Sequence, residues 1–174
     1  MKKLLGICIC LLLAGSLFAQ EKFVVPERSP QQKHVRTTYM MWSWYSAGIN
    51  FAKAQGVSAY DFGKYVGSVF AQTWNKEKGF DGFVSGMIYN WENMRFDSSP
   101  EIIVNEIDDG YVVVKTSAAI VKSYFPEGNP YASFEEGMDC MRGMLEQIGD
   151  YLGCTFSQEV TDEYIVNSFR KKEE

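Results

Sequence analysis

Residues that build most catalytic and metal sites are scarce in this chain of 174 residues. It has one histidine, His34, and four cysteines, of which Cys8 and Cys10 fall in an apolar N-terminal run. His34 and the two remaining cysteines, Cys140 and Cys154, cannot assemble a zinc site of ordinary spacing. The nucleophile elbow, the phosphate-binding glycine loop and the His-Glu-x-x-His pattern are missing too. We therefore expect no metal and no cofactor, and Cys140 is the single candidate nucleophile.

Long apolar stretches are also missing, apart from one at the N-terminus. The first twenty residues, "MKKLLGICICLLLAGSLFAQ", have a basic start, an apolar run from Leu4 to Leu13 and a small residue, Ala19, before Gln20. This pattern predicts a secretory signal peptide over residues 1–19, cleaved after Ala19. The run is too short to anchor the protein in a bilayer. We expect a secreted protein, periplasmic or extracellular, whose mature chain has no membrane span.

Basic residues are the minority, with 17 Lys and Arg against 22 Asp and Glu. Cleavage at the predicted site would remove Lys2 and Lys3, leaving 15 basic residues and a net charge of −7. An acidic chain is a poor partner for nucleic acid or for an anionic membrane surface. The remaining ~155 residues are a usual size for a single domain with its own core.

The N-terminal half of the mature chain has helical periodicity. Residues 20–35 read as a linker rich in proline and charge, and a single domain is predicted over residues 36–172. The first helix is predicted over Arg36–Ala54, the second from an N-cap at Ser58, and the third over residues 81–95. The predicted inner face of the first helix consists of Met41, Tyr45, Gly48 and Ala52, with Trp44 and Phe51 beside it. That of the second consists of Phe62, Val66, Val69, Phe70 and Thr73.

The C-terminal half changes period. Two β-rich runs flank Asp109-Gly110, which predicts a hairpin over residues 101–121. Ser133 and Glu136 form a capping box for a long amphipathic helix that ends at Gly153, and two final strands follow. Such a helix would hold Cys140 and Cys154 about 20 Å apart, too far for a disulfide. The predicted fold is α+β, with three N-terminal helices, a β-hairpin, a long amphipathic helix and two C-terminal strands, the helices packing on one face of an antiparallel sheet.

Three glycines interrupt the long helix, at positions 137, 143 and 149. Each costs about 1 kcal/mol relative to alanine, so the pattern needs a structural or functional reason. Close packing against a neighbouring element is one interpretation, and a cavity beside the helix is the other. Gly63 and Gly67, four residues apart in the second predicted helix, indicate a tight helix crossing.

The C-terminal stretch resembles a known family. Residues 134–169, a glycine-bearing helix "GMDCMRGMLEQIG" followed by "CTFSQEVTDEYIVNSF", are similar to the C-terminal part of the four-vinyl-reductase-type small-molecule-binding domains and of the related aminothiazoline-carboxylate hydrolase-like proteins. The resemblance implies an α+β unit with a ligand pocket between helices and sheet. The last hairpin of that family often carries a Gly-Asp pair and a cysteine, whereas Thr161-Asp162-Glu163 here leads to Tyr164 and no cysteine.

Aromatic and methionine residues concentrate in the predicted N-terminal helices and suit either an apolar pocket wall or a core. The ligand-binding candidates are Trp42, Trp44, Tyr45, Trp91, Cys140 and Met141. The favoured hypothesis is an exported, non-catalytic protein that binds a small apolar or amphipathic molecule between helices and sheet. The first alternative is a module of the cell envelope that binds a protein partner. The second alternative is a hydrolase-like enzyme that uses Cys140.

Overall fold

A computed structural model describes residues 27–94 and 102–173. The predicted signal peptide, the first part of the predicted linker and the beginning of the predicted hairpin segment lie outside these residues. The described part of the chain contains five α-helices, a short 3₁₀-helix (Lys76–Lys78) and four strands. The helices are α1 (Pro30–Ala54), α2 (Ala59–Ala71), α3 (Gly79–Asn93), α4 (Ala118–Lys122) and α5 (Phe134–Tyr151). The strands are β1 (Ile103–Asp108), β2 (Tyr111–Ser117), β3 (Cys154–Val160) and β4 (Tyr164–Lys171).

The four strands form one antiparallel sheet in the order β1-β2-β4-β3. The hairpin at Asp109-Gly110 is confirmed, and the Asp108 side chain closes its turn by accepting a hydrogen bond from the Gly110 amide at 2.9 Å. Strands β3 and β4 form the second hairpin, and β4 pairs with β2 along the whole length of β2. Inward-pointing side chains of β2, β3 and β4 meet residues of α3 and α5 in one hydrophobic cluster centred on Phe83, Leu145 and Phe169. The predicted α+β class, with helices against the sheet, is confirmed.

The first helix begins earlier than predicted. Its start is at Pro30, preceded by Ser29 in a complete capping box with Gln32. Proline in the first turn and a serine N-cap are both strong start signals, so the last residues of the predicted linker are helical. In α1 the buried residues are Thr38, Trp42, Ser46, Ile49 and Ala52.

The predicted inner faces of α1 and α2 were wrong in part. Met41, Trp44 and Phe51 are exposed on α1. The buried face of α1 includes two hydroxyl residues, Thr38 and Ser46, so the spacing of apolar residues alone does not identify it. On α2 the buried residues are all small, namely Ala59, Gly63, Gly67 and Ala71, while Val69 and Phe70 are half exposed. A helix that packs through glycine and alanine turns its larger side chains outward.

The glycines of α2 and α5 form the crossing between these two helices. A Cβ atom on Gly63 would strike the Cys140 carbonyl, one on Gly67 would strike the Met144 carbonyl, and one on Gly143 would strike the Tyr60 carbonyl. The two backbones therefore touch from both sides. Gly137 and Gly149 serve the same purpose elsewhere, since their faces are covered by the rings of Phe125 and Phe83. The glycine pattern of the long helix is thus a packing device.

One predicted strand segment is helical. The β-rich run after the hairpin turn was expected to continue to Val121, but β2 ends at Ser117 and the short helix α4 follows. Two consecutive alanines, Ala118 and Ala119, open α4, and alanine favours helix over strand. Helix α4 and the segment after it cover the end of the sheet, and Tyr124 and Phe125 pack there against Trp42 of α1.

Candidate functional site

An apolar cavity lies where α1, α3, α4 and α5 meet the inner face of the sheet. Its volume is ≈ 60 Å³, and it is only partly enclosed. The described residues that line it are Trp42, Trp91, Met94, Ile102, Thr116, Ser117, Ile120, Val121, Tyr124, Met141, Ile165 and Asn167. A water molecule needs about 10–15 Å³ measured in this way, so the space corresponds to roughly four to six water-sized positions.

The indole of Trp42 is held rigidly in the wall. It stacks on the Tyr124 ring with centroids 5.2 Å apart and planes 14° from parallel. Tyr45 and Phe125 meet it in edge-to-face contacts at 5.5 and 5.4 Å. Trp42 is 4% exposed, and its Nε1 has no hydrogen-bond partner among the residues that the structure describes. Because the ring is fixed on three sides, its face is pre-organised and pays little entropy when a ligand packs against it.

The few polar side chains that line the cavity lie mostly on the sheet. Asn167 is 1% exposed, and its Oδ1 accepts a hydrogen bond from Gln158 Nε2 at 2.9 Å. Thr116 and Ser117, at the end of β2, lie beside it. Among the described lining residues no side chain is charged. A buried charge without a partner is costly, so this wall suits an uncharged group.

Cys140 lies behind the cavity wall rather than in it. It is fully buried in the cluster that contains Trp42, Ile49 and Phe125. Burial raises the pKa of the Cys140 thiol, which the nearby Tyr45 hydroxyl only partly opposes. Only the thiolate is nucleophilic, and a reactive cysteine sits in an electropositive, partly exposed place, which this is not. Cys154 is also buried and free, and burial raises its pKa too.

Tyr45 joins α1 to α5. Its hydroxyl donates a hydrogen bond to the Gly137 carbonyl at 2.8 Å, at the glycine whose missing side chain lets Phe125 approach the helix. Burial raises the pKa of Tyr45 well above its usual value, with the neighbouring Cys140 acting in the same direction. Tyr45 therefore fixes the position of α1, and with it the position of Trp42, on the rest of the domain.

Three of the six predicted ligand-binding residues come together at the cavity, namely Trp42, Trp91 and Met141. Tyr45 and Cys140 pack one layer behind Trp42. Trp44 is not placed there, because it points away from the core and is 77% exposed. The sequence reasoning missed Tyr124 and Asn167. Tyr124 follows a helix too short to predict, and the position of Asn167 on the inward face of β4 could have been read from its alternation with Ile165 and Phe169.

No group of three or more potential metal ligands occurs in residues 27–94 and 102–173. His34 lies in the second turn of α1, far along the chain from both buried cysteines. Within the same ranges, no helix is both long enough and apolar enough to cross a membrane.

Comparison with known proteins identifies no family. No family model matches the sequence, and no curated protein matches it. Among solved structures, the chain is similar to a "Cs H-NOX mutant with unnatural amino acid 4-cyano-L-phenylalanine at site 5". The sequences are 11% identical, the match covers 91% of this chain and 83% of that one, and the TM-score is 0.38. A likeness at this level assigns neither fold family nor function, and the resemblance of residues 134–169 to four-vinyl-reductase-type domains stays a prediction.

Proposed function

We propose that the protein is an exported, non-catalytic binding protein that holds a small, uncharged, apolar or amphipathic molecule in the cavity between helices and sheet. The cavity itself carries the proposal, because it is a partly enclosed space with a fixed aromatic wall and no charged lining among the described residues. Sites for small molecules are concave, mostly apolar and largely preformed. The N-terminal pattern of the sequence supports export to the periplasm or the cell exterior.

The size of the cavity restricts the ligand. An engineered cavity of about 150 Å³ in another protein binds benzene, whereas this one measures ≈ 60 Å³. A ligand no larger than a few non-hydrogen atoms fits without movement, and a larger one requires the walls to yield. Met94 and Met141 are the walls best suited to do so, because methionine is unbranched and has three rotatable bonds.

Filling the cavity from the sheet tests the proposal. Thr116 lines the cavity, and Val113 lies on the opposite face of the same strand, so Thr116→Phe and Val113→Phe place the same ring on either side of β2. Xenon is the probe, because it is a small apolar atom that enters apolar cavities without needing a specific contact. The ¹²⁹Xe chemical shift should respond to the wild type and to Val113→Phe, and the response should be lost in Thr116→Phe. No response from the wild type, or an equal response from all three proteins, would contradict the proposal.

The partner-binding alternative has one observation in its favour. The outer side of α1 exposes Met40, Trp44 and Phe51. Apolar side chains that gather on a surface mark interaction sites more often than chance. The hydrolase-like alternative has no such support, since the Cys140 thiol is buried and its pKa is raised.

A further inference from the structure

Helix α1 carries a second apolar stripe, opposite the face that packs on the domain. The stripe, called the outer seam here, consists of Thr37, Met40, Trp44, Ala47, Phe51 and Ala54. Met40 is 49% exposed, Trp44 77% and Phe51 67%, and only Ala47 is half-buried among the six. No element of the described chain covers this seam. A helix with an apolar stripe on both sides is built to pack on both sides.

The spacing of the residues in the outer seam indicates which kind of surface can pack against it. Its residues recur at intervals of three, four, three, four and three, which is the a/d pattern of two helices that pack along each other. The helix is continuous over all six positions, because α1 runs without interruption from Pro30 to Ala54. The complementary surface is therefore another helix with the same repeat.

We propose that a second copy of this protein covers the outer seam, with α1 of the two copies packed side by side and antiparallel. In that arrangement every layer joins an a position to a d position across a two-fold axis. Trp44 then faces Ala47 of the other copy, Met40 faces Phe51, and Thr37 faces Ala54. The bulkiest side chain of the seam is matched with one of its smallest, which is the interdigitation that close packing requires. The seam is thus complementary to itself, as a two-fold interface must be.

Charge does not oppose this contact. Residues 37–52 contain no charged side chain, although the whole sequence has a net charge of −5. Two acidic copies repel each other over most of their surfaces, and the middle of α1 is a neutral surface through which they can approach. The nearest charges flank the seam at Arg36 and Lys53, and Lys53 is already paired with Glu136 of α5.

The area of the seam is small for an interface between two proteins. The exposed parts of Met40, Trp44 and Phe51 amount to roughly 400 Å² per copy, or about 800 Å² for both, given ~150–250 Å² for each large side chain. Stable interfaces bury about 1,200–2,000 Å², so this contact lies below the usual range. We expect a reversible dimer with a dissociation constant on the order of 1–100 μM.

Sedimentation velocity over a concentration series measures this association directly. The protein is expressed with its own N-terminal segment and purified in whatever form, cleaved or uncleaved, the cell produces. The wild type should shift from monomer to dimer as the concentration rises. Trp44→Gln and Phe51→Gln should each weaken the association at least about tenfold, since aromatic residues at the centre of an interface dominate its energy. Tyr65→Gln is the matched control, because Tyr65 is 68% exposed on α2 and lies off the seam.

A spin-label distance tests the antiparallel arrangement. In the paired helices, Ala54 of one copy lies beside Thr37 of the other, so two labels at Ala54→Cys are separated by about 25 Å along the helix axis. Parallel packing would place the same labels within about 10 Å, the distance between neighbouring helix axes. Of the native cysteines, Cys140 and Cys154 are buried and should not take the label, and Cys8 and Cys10 would leave with the predicted signal peptide.

Three results would overturn the proposal. One is a wild type that remains monomeric at about 1 mM, where a specific interface should already be occupied. Another is a dimer that persists unchanged in Trp44→Gln and Phe51→Gln, which would place the contact elsewhere. The last is a short distance between the labels at position 54. If the wild type remains monomeric and exposes the seam only after cleavage of the N-terminal segment, the first result would also assign the seam to that segment.

Discussion

Replacing Gly143 with alanine tests whether the glycines of α5 exist for packing. An added Cβ would strike the Tyr60 carbonyl oxygen of α2 and would lie 3.1 Å from the Lys64 amide nitrogen. These are backbone atoms of the first two turns of α2, so they cannot rotate away as a side chain can. The same crossing is closed from the other side by Gly63 and Gly67 against α5. The two helices can accept the methyl group only by moving apart.

Two opposing terms determine the size of the effect. Alanine is favoured over glycine inside a helix by about 1 kcal/mol, which would stabilise the variant. Forcing extra volume into a packed contact costs about 1–3 kcal/mol, and more where the surroundings cannot yield. Helix α5 also packs on the sheet through Leu145 and Ile148, so moving it disturbs the main core. Because the clash is with backbone that cannot yield, we take its cost as about 2–4 kcal/mol, and subtracting the ~1 kcal/mol gained from alanine leaves a net loss of about 1–3 kcal/mol in the free energy of unfolding, or roughly 2–10 °C in Tm.

Urea denaturation followed by circular dichroism measures this loss. Gly48→Ala is the matched control, because a Cβ on Gly48 would meet only the ring of Phe62, at 3.1 and 3.2 Å, and a side chain can shift by a few tenths of an ångström. The stability of the control should lie within about 1 kcal/mol of the wild type. If Gly143→Ala is as stable as the wild type, or more stable by the propensity term alone, the tight crossing of α2 and α5 is refuted.

Further outcomes follow from buried groups and a helix cap. Cys140 and Cys154 should not react with an aromatic disulfide reagent in the folded protein and should react on denaturation; rapid reaction of either in the native state would contradict its burial. Ser133→Ala removes the capping box of α5 and should lower the unfolding free energy by about 1 kcal/mol, measured by urea denaturation. Burial raises the pKa of Tyr124 to about 12 and that of Tyr45 well above its usual value, so the folded state holds these protons more tightly than the unfolded chain does. The unfolding free energy should therefore be unaffected by these groups below about pH 10 and should fall as the pH rises from there towards 12, and a flat profile would show that neither hydroxyl is buried.

The C-terminal half of the fold could be predicted from the sequence because its signals are local. Asp109-Gly110 fixes the first hairpin, and Ser133 with Glu136 fixes the start of α5. Gly153, at φ 75°, adopts the left-handed backbone that ends a helix. Each of these signals depends on residues a few positions apart, and tertiary packing did not override them.

The faces of α1 and α2 could not be predicted in the same way. Helix α1 is apolar on two sides, and the larger side chains Met40, Trp44 and Phe51 belong to the exposed side. Helix α2 is buried through Gly63 and Gly67, which a search for apolar periodicity ignores. In both helices the buried face is the one that fits the elements packed against it, and those elements come from distant parts of the chain.

The sequence predicted the apolar character of the cavity, but only half of the predicted ligand-binding residues line it. Aromatic and methionine content indicated an apolar wall, and Trp42, Trp91 and Met141 do line the cavity. Tyr124, which holds Trp42 in place, comes from a segment with no regular pattern. Its position depends on how α4 folds over the end of the sheet.

Native mass spectrometry of the gently purified wild-type protein tests most directly whether the cavity is a binding site. The protein is produced with its own N-terminal segment, and its mass is compared before and after denaturation. We predict a reproducible added mass of a small molecule that disappears on denaturation and is missing from Thr116→Phe but retained by Val113→Phe. A wild type that carries no added mass, or an adduct that survives in Thr116→Phe, would contradict a ligand in this cavity.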